Sequence, residues 1–494
     1  MKPTIYSRFK ELVTTQPDHP AIIDERSCVT YNSLDQLADT LLSRFPTYVP
    51  ARVGVVMDHS VEMVAAIMAI VKAGGAFVPV EPDFPAERMT RYLTECGVDF
   101  VVTQEKYSSK LRGFTLFIVG QQINVDPTLH PLPDRSVASR PAYIMYSSSY
   151  SGYPIGVVVG NTQVVDLAER FGDTFKITPD DVLLQYSACI VNTYIQEVFG
   201  TILNGAVLAI PSAGIRNNTE KLMQFADEQY VSIISGFPYL MHELNRMPAL
   251  PITVRMLISG GQQLAADSIN HLLEQVTVYN TYGPAEATSL ATCYCCNNGH
   301  TTYNGYFARG KALEGVEIIL LDDELQPVAP GKEGEICIAG NGVADSFTGD
   351  HRDEQMSSIV ILQDGTRVAR TGDVGRILPD GNLVLVRRKA NEVNILGRRV
   401  VTGEIERALL STGEVTECVV EHYQDEKGAA YLVAYVVPGT QSFSLSWVKN
   451  SLAQYLPPYM IPEFFVLLRQ LPVTATGEVN TLALPVVLKD SVAG

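Results

Sequence analysis

Between about residue 50 and residue 340, apolar runs of strand length alternate with stretches whose apolar residues recur at helical spacing. VGVVM at 53–57 precedes VEMVAAIMAIVK at 61–72, and AFVPV at 76–80 precedes the amphipathic stretch 85–96. The pairing recurs at 233–235 with 239–246 and at 256–259 with 265–275. Such alternation predicts parallel sheets covered by helices. From Val316 the pattern shifts to short strands between glycine turns, GKEG at 331–334 and PDG at 379–381, which predicts a mostly antiparallel module. Beyond Arg387, segments 404–410, 418–423, 430–437 and 445–455 return to mixed strand and helix periods. The expected fold class is α/β. A large N-terminal domain of helix-covered β-sheets plus a β-rich module spans 1–386, and a small α+β C-terminal domain spans 387–494. The break is expected in the basic stretch 387–390.

Length and charge narrow the function. At 494 residues the chain exceeds one compact domain. Apolar residues at 46% and charged residues at 18% describe a globular protein. The excess of 54 acidic over 37 basic residues, net −17, argues against nucleic acid and anionic membrane as partners. The most hydrophobic stretch, 63–80, carries Lys72 and the pair Gly74-Gly75, so it reads as a buried helix followed by a strand. MKPTIYSRFKEL at the start has no apolar core and predicts no cleavable signal. Eight cysteines without framework spacing suit a cytoplasmic location. Alternation over 289–296 predicts a strand, where Cys293, Cys295 and Cys296 with a distant His300 make an incomplete zinc set and read as structural.

The first candidate chemistry is YSSSYSGYPIGV at 146–157, after the apolar run 142–145. A Ser-rich, Gly-containing turn offers N–H groups and hydroxyls to an anion. Phosphate loops usually add a lysine, yet Tyr153 and Ile155 stand where basic residues are expected. Taken alone, the segment reads equally as a surface turn.

Further motifs surround it in a fixed order. VKAGGAFVPVEP at 71–82 comes before it; YGPAE at 282–286, GEICIAG at 334–340 and RTGDVGR at 370–376 follow. LPPYMIP at 456–462 and LPVTATGEVN at 471–480 close the series. This order and spacing resemble the amino-acid adenylation domains of nonribosomal peptide synthetases, within the adenylate-forming superfamily, from Val29 to Leu484. The resemblance implies joining a carboxylate to the α-phosphate of ATP with loss of pyrophosphate, then transfer to a phosphopantetheine thiol. It also implies Mg²⁺ and a mobile C-terminal domain.

By the same resemblance, Ser147, Ser148, Ser151 and Gly152 cradle phosphates. Asp373 binds the ribose, and Arg388 reaches it from the hinge side. Tyr282 stacks on adenine, with Gly261, Asn280 and Thr281 around the base, and Glu286 is the Mg²⁺ ligand, a hard oxygen donor for a hard cation. Each has a plainer reading: a turn-capping Asp, a solvated Arg, a core Tyr, a helix-start Glu. The departures weigh as much. Glu478 stands where the family carries a catalytic lysine, Ser149 replaces a glycine, Ala390 the hinge aspartate, Asn394 a lysine and Asn161 a histidine.

The acid pocket implied is Asn192, Thr193, Gln196, Ser235, Ile258, Gly260, Thr281, Ser289 and Leu290, small and polar. Asn192 holds the place where members that activate α-amino acids keep an Asp for the ammonium, and asparagine there resembles members that take aryl acids. No Ser-centred phosphopantetheine site follows, so a carrier protein is expected in trans. Two readings stay open: an enzyme activating a small polar carboxylic acid, amino or aryl, or a degenerate pseudoenzyme serving as a nucleotide-binding or scaffolding partner.

Overall fold

The computed structural model describes residues 2–46, 49, 51–120, 123–148, 154–299, 301–350, 356, 358–388, 392–395, 398–425, 430–439, 443–472 and 481–487. Two helix-covered sheets form the N-terminal body. One has seven strands; Pro141–Ser148, Ala76–Pro79, Arg52–Val56, Phe100–Thr103 and Thr115–Ile118 run parallel, in that spatial order. The other has nine, with Thr277–Tyr282, Met256–Ser259, Ile233–Gly236, Val182–Leu184, Val207–Ala209 and Pro20–Ile23 parallel in that order.

Helix Val61–Lys72 belongs to the core these sheets share, and every one of its residues is buried. A helix apolar on all sides has no face to give to water. It carries two charged residues, Glu62 in its first turn and Lys72 at its end, and Lys72 is held by Asp39 at 2.5 Å and Asp35 at 3.7 Å. Ser60 caps it by accepting from the Met63 N–H.

The β-rich module is a five-stranded antiparallel sheet of Val316–Leu321, Gly334–Gly340, Ile359–Ile361, Arg367–Ile377 and Leu383–Arg388. Strand Leu383–Arg388 pairs with Arg367–Ile377 out to Arg388, so residues 387 and 388, expected to open the C-terminal domain, lie on a strand of this sheet. The C-terminal part pairs Glu392–Ile395 with Arg398–Val401, continues through helix Thr402–Ser411, and builds a three-stranded sheet of Val415–Gln424, Ala430–Pro438 and Phe464–Leu467. It docks on the seven-stranded side. Arg88 and Glu404 form an ion pair at 2.8 Å, and strand Arg398–Val401 packs against Pro141–Ser148.

Two sequence expectations change. The stretch 265–275 is a 3₁₀ turn, Ala266–Ile269, followed by a short helix, Asn270–Gln275. The strand expected over 289–296 is only Thr292–Cys295, because Thr288 and Ser289 take φ of 50° and 77° and turn the chain first.

Candidate functional site

In the nine-stranded sheet the chain runs from Val182–Leu184 to Val207–Ala209 on one side, then crosses to Ile233–Gly236 on the other. Ligands of open α/β sheets bind beyond the carboxyl ends of strands at such a switch point. Here those ends deliver Ser235, Ile258, Gly260, Gly261, Thr281 and Tyr282, and Asn192 opens the helix Asn192–Ile202 that follows the first of these strands.

The β-rich sheet meets this edge at Asp373. Gly372 takes φ of 72°, and between the pairs Glu335↔Val374 and Cys337↔Arg370 three residues face one, so the strand bulges. The bulge turns Asp373 inward, 4% exposed, where Tyr282 donates its hydroxyl to the carboxylate at 2.8 Å. Arg388 is its register partner on the adjacent strand. Three residues far apart in sequence thus share one corner.

Beside it opens a cavity of about 560 Å³ walled by Gly261, Gln262, Arg309 and Arg387, with Val393 and His422 from the C-terminal part. Burial holds the His422 imidazole below its usual range. Asn280 is fully buried and donates its amide to the Ala308 carbonyl at 2.8 Å, so the group assigned to the base is already engaged by the chain. Glu286 is 4% exposed, on the turn Ala285–Ala287 directly after Tyr282-Gly-Pro.

The serine segment is a hairpin of Pro141–Ser148 against Pro154–Gly160. Ser147 and Ser148 end its first strand; Ser149, Ser151, Gly152, Tyr153, Ala390, Glu478 and His300 lie outside the described residues. Packing accounts for two of the departures from the family pattern. Ile155 is 1% exposed within the main core, so a lysine there would be buried in apolar surroundings and could not face phosphate. Asn161 is also buried, accepting from the Ile5 N–H at 3.4 Å and donating to the Arg140 carbonyl at 3.2 Å.

Among the acid-pocket residues, Asn192 donates to the Gly283 carbonyl at 3.0 Å, and Gln196 is hydrogen-bonded to Ser289. Gly283 must be glycine, since a Cβ there would lie 1.7 Å from the Ser289 carbonyl oxygen. Thr281 donates to the Ser259 carbonyl at 3.1 Å. Thr193 turns to Ser187 at 2.8 Å instead. Leu290 is fully buried.

Sequence reading missed the polar layer behind this edge. Glu197 accepts from Ser187, Gln185 and the Tyr186 N–H, and burial outweighs these donors to push its carboxyl up to about 7. Glu81 sits near His59, Arg216 and Arg398; burial alone would raise its carboxyl, but the hydrogen bond from His59 and the charges beside it hold it down to about 2. The ligand atoms of His59, Glu81 and Cys189 lie within 4.8 Å of one another. Arg216 Nη1 stands 2.6 Å from the imidazole, where a divalent ion would be repelled, so the group reads as an ion-pair cluster. No regular spacing links positions 59, 81 and 216, which is why the sequence did not show it.

A pH dependence follows for Glu81. A carboxyl depressed in the folded state contributes stability that is full above its unfolded pKa, about 4.3, and is lost as pH falls towards about 2. Denaturant unfolding at pH 7 and pH 3 should show wild type losing about 1.5–2 kcal/mol more than Glu81→Gln over that window. An equal loss in both proteins would show that Glu81 has no such role.

Residues 9–347 match the AMP-binding enzyme family, and residues 404–478 match the AMP-binding enzyme C-terminal domain. The chain belongs to the AMP-binding enzyme family. It is 32% identical over 486 residues to bacitracin synthase 2 of Bacillus licheniformis, covering 98% of this chain and 18% of that protein. Gramicidin S synthase 2 of Brevibacillus brevis is 32% identical over 493 residues, covering 98% of this chain and 11% of that protein. The chain therefore spans a fifth or less of these two relatives. Its fold matches an NRPS protein containing adenylation and PCP domains, bound to a vinylsulfonamide inhibitor, with a TM-score of 0.85 at 23% identity over 98% of this chain and 84% of that one. It matches the o-succinylbenzoate CoA synthetase of Bacillus subtilis with a TM-score of 0.84 at 20% identity, over 99% and 98% of the two chains. The α/β architecture read from the sequence is thus the fold of this family. No helix among the described residues is long and apolar enough to cross a membrane.

Proposed function

We propose that this AMP-binding family member activates a small polar carboxylic acid as its acyl-adenylate, consuming ATP and releasing pyrophosphate, and passes the acyl group to the phosphopantetheine thiol of a carrier protein. The observation that carries this reading is the corner where Tyr282 meets Asp373, with Arg388 in register on the adjacent strand, near the cavity at the strand ends. An ionised Asp373 suits the two ribose hydroxyls, which it would accept. Glu286 would hold Mg²⁺, which neutralises phosphate charge when bound. The serine hairpin would present Ser147, Ser148, Ser151 and Gly152 to the phosphates. The similar proteins give the scaffold alternative no support. The PCP domains of the solved relatives favour a carrier partner, and the net charge of −17 favours neither nucleic acid nor anionic membrane.

The test is substrate-dependent ATP–pyrophosphate exchange over a panel of amino, hydroxy and aryl acids. Exchange with at least one acid is expected; bound ATP without exchange for any acid would overturn the proposal.

The acid is expected to lack a free α-ammonium. Asn192 offers an amide already tied to Gly283, with no charge to pair a cation. Asn192→Asp should shift the exchange ratio towards α-amino acids by about 10-fold or more, the scale of a hydrogen bond to a charged group. In the variant the carboxylate would face the Gly283 carbonyl and need a cation there. A wild-type protein most active with an ordinary α-amino acid would contradict this assignment.

A further inference from the structure

Arg309 lies where the nucleotide reading places the base. Its backbone is pinned on both sides: its N–H donates to the Leu383 carbonyl at 2.7 Å, and its carbonyl accepts from Thr292 Oγ1 at 2.5 Å. Gly310 follows at φ 83°, and a Cβ there would lie 1.9 Å from the Cys293 carbonyl oxygen, so this stretch of chain cannot drift. From that anchor the side chain reaches the cavity wall beside Gly261 and Gln262.

Among the described residues the guanidinium touches Gln262, Asn280 and Tyr282. Nη1 donates to the Gln262 carbonyl at 2.6 Å and lies 3.4 Å from Asn280 Oδ1. Its central carbon stands 5.7 Å from the centroid of the Tyr282 ring. The Asn280 amide and the Tyr282 ring are groups the reading assigns to the adenine, and Gln262 directly follows Gly261, which the reading also places at the base. All three are engaged by one side chain of the protein itself. Arg309 is only 3% exposed, so these contacts are made largely out of water.

We propose that Arg309 is an internal competitor for the nucleobase and sets the nucleotide affinity of this site. A planar guanidinium imitates a base, since it stacks on an aromatic ring and donates within its plane. For a base to reach the Tyr282 ring, the side chain must swing into the cavity while its backbone stays fixed. ATP binding then includes breaking the contacts to Gln262, Asn280 and Tyr282. This inference rests on the nucleotide reading of the Tyr282–Asp373 corner.

Arg309→Leu and Arg309→Met are compared with wild type by calorimetric titration with Mg²⁺–ATP and with Mg²⁺–tripolyphosphate, which has no base. Thermal unfolding checks that both variants fold, and the unbranched Met variant guards against a packing defect in the Leu one. Both variants are expected to bind ATP at least about 10-fold more tightly, the scale of a released guanidinium–ring contact plus a hydrogen bond. Tripolyphosphate binding should not tighten. ATP binding that is unchanged or weaker, or an equal gain for tripolyphosphate, overturns the competitor role. Asp373→Ala distinguishes a failure of the competitor role from a failure of the nucleotide reading. If wild type binds ATP, Asp373→Ala weakens it and the Arg309 variants show no gain, this inference alone fails. If neither wild type nor any variant binds ATP, the nucleotide reading fails and takes this inference with it.

Discussion

Asp373→Ala should weaken ATP binding by about 1.5–3 kcal/mol, roughly 10- to 150-fold, the scale of hydrogen bonds made to a charged group. The carboxylate is 4% exposed and accepts the Tyr282 hydroxyl at 2.8 Å, so it is oriented before any ribose arrives. Its removal also leaves the Tyr282 hydroxyl without that acceptor, loosening the ring proposed to face the base. Asp373→Asn keeps the shape and one acceptor oxygen, and should fall between wild type and Ala. Calorimetric titration with Mg²⁺–ATP reads the effect. Undiminished ATP affinity in Asp373→Ala would remove the ribose role.

Glu478→Lys should raise adenylation by at least about 10-fold, a modest part of the contribution of a preorganised donor to developing charge. In the transition state negative charge spreads over the α-phosphate. Glu478, where the family resemblance places a lysine, brings charge of the wrong sign. Tyr153→Lys, in the serine segment, should add to the gain. Ile155 is unsuited to the same substitution, because its side chain packs in the main core and a buried lysine there would destabilise the protein. Pyrophosphate exchange with the best acid, in wild type, Glu478→Lys and the double variant, gives the measurement. A folded Glu478→Lys protein that binds ATP with no gain in exchange would show that this position does not face the phosphates.

The roles proposed for Arg309 and Glu478 concern different stages of the same event. The first bears on whether the base is admitted, the second on whether the phosphate reacts. The two effects are therefore separable: the Arg309 variants are read in equilibrium binding, and Glu478→Lys in exchange at saturating nucleotide.

Local periodicity was enough for much of the fold. The helix expected over 61–72 is Val61–Lys72, because a buried apolar run can satisfy its backbone only by one regular ladder. The antiparallel module after Val316 was equally legible from its glycine turns. Where local signals conflicted the reading slipped. The pattern of 289–296 suits a strand throughout, yet the fold bends it at Thr288 and Ser289, whose left-handed backbone no alternation rule anticipates.

By itself, then, the sequence determined the fold class and the family, and offered the residues proposed for ribose, metal and acid, because motifs are contiguous and their spacing survives in one dimension. Only the tertiary structure decided which of those residues meet. It set Asp373 against Tyr282 through a bulge, turned Ile155 and Asn161 away from the site, tied the Asn280 amide to Ala308, and brought Arg309 onto the groups assigned to the base. It also gathered His59, Glu81 and Arg216 into one charge cluster. Those outcomes depend on register, bulges and burial across strands far apart in the chain, and no local pattern encodes them.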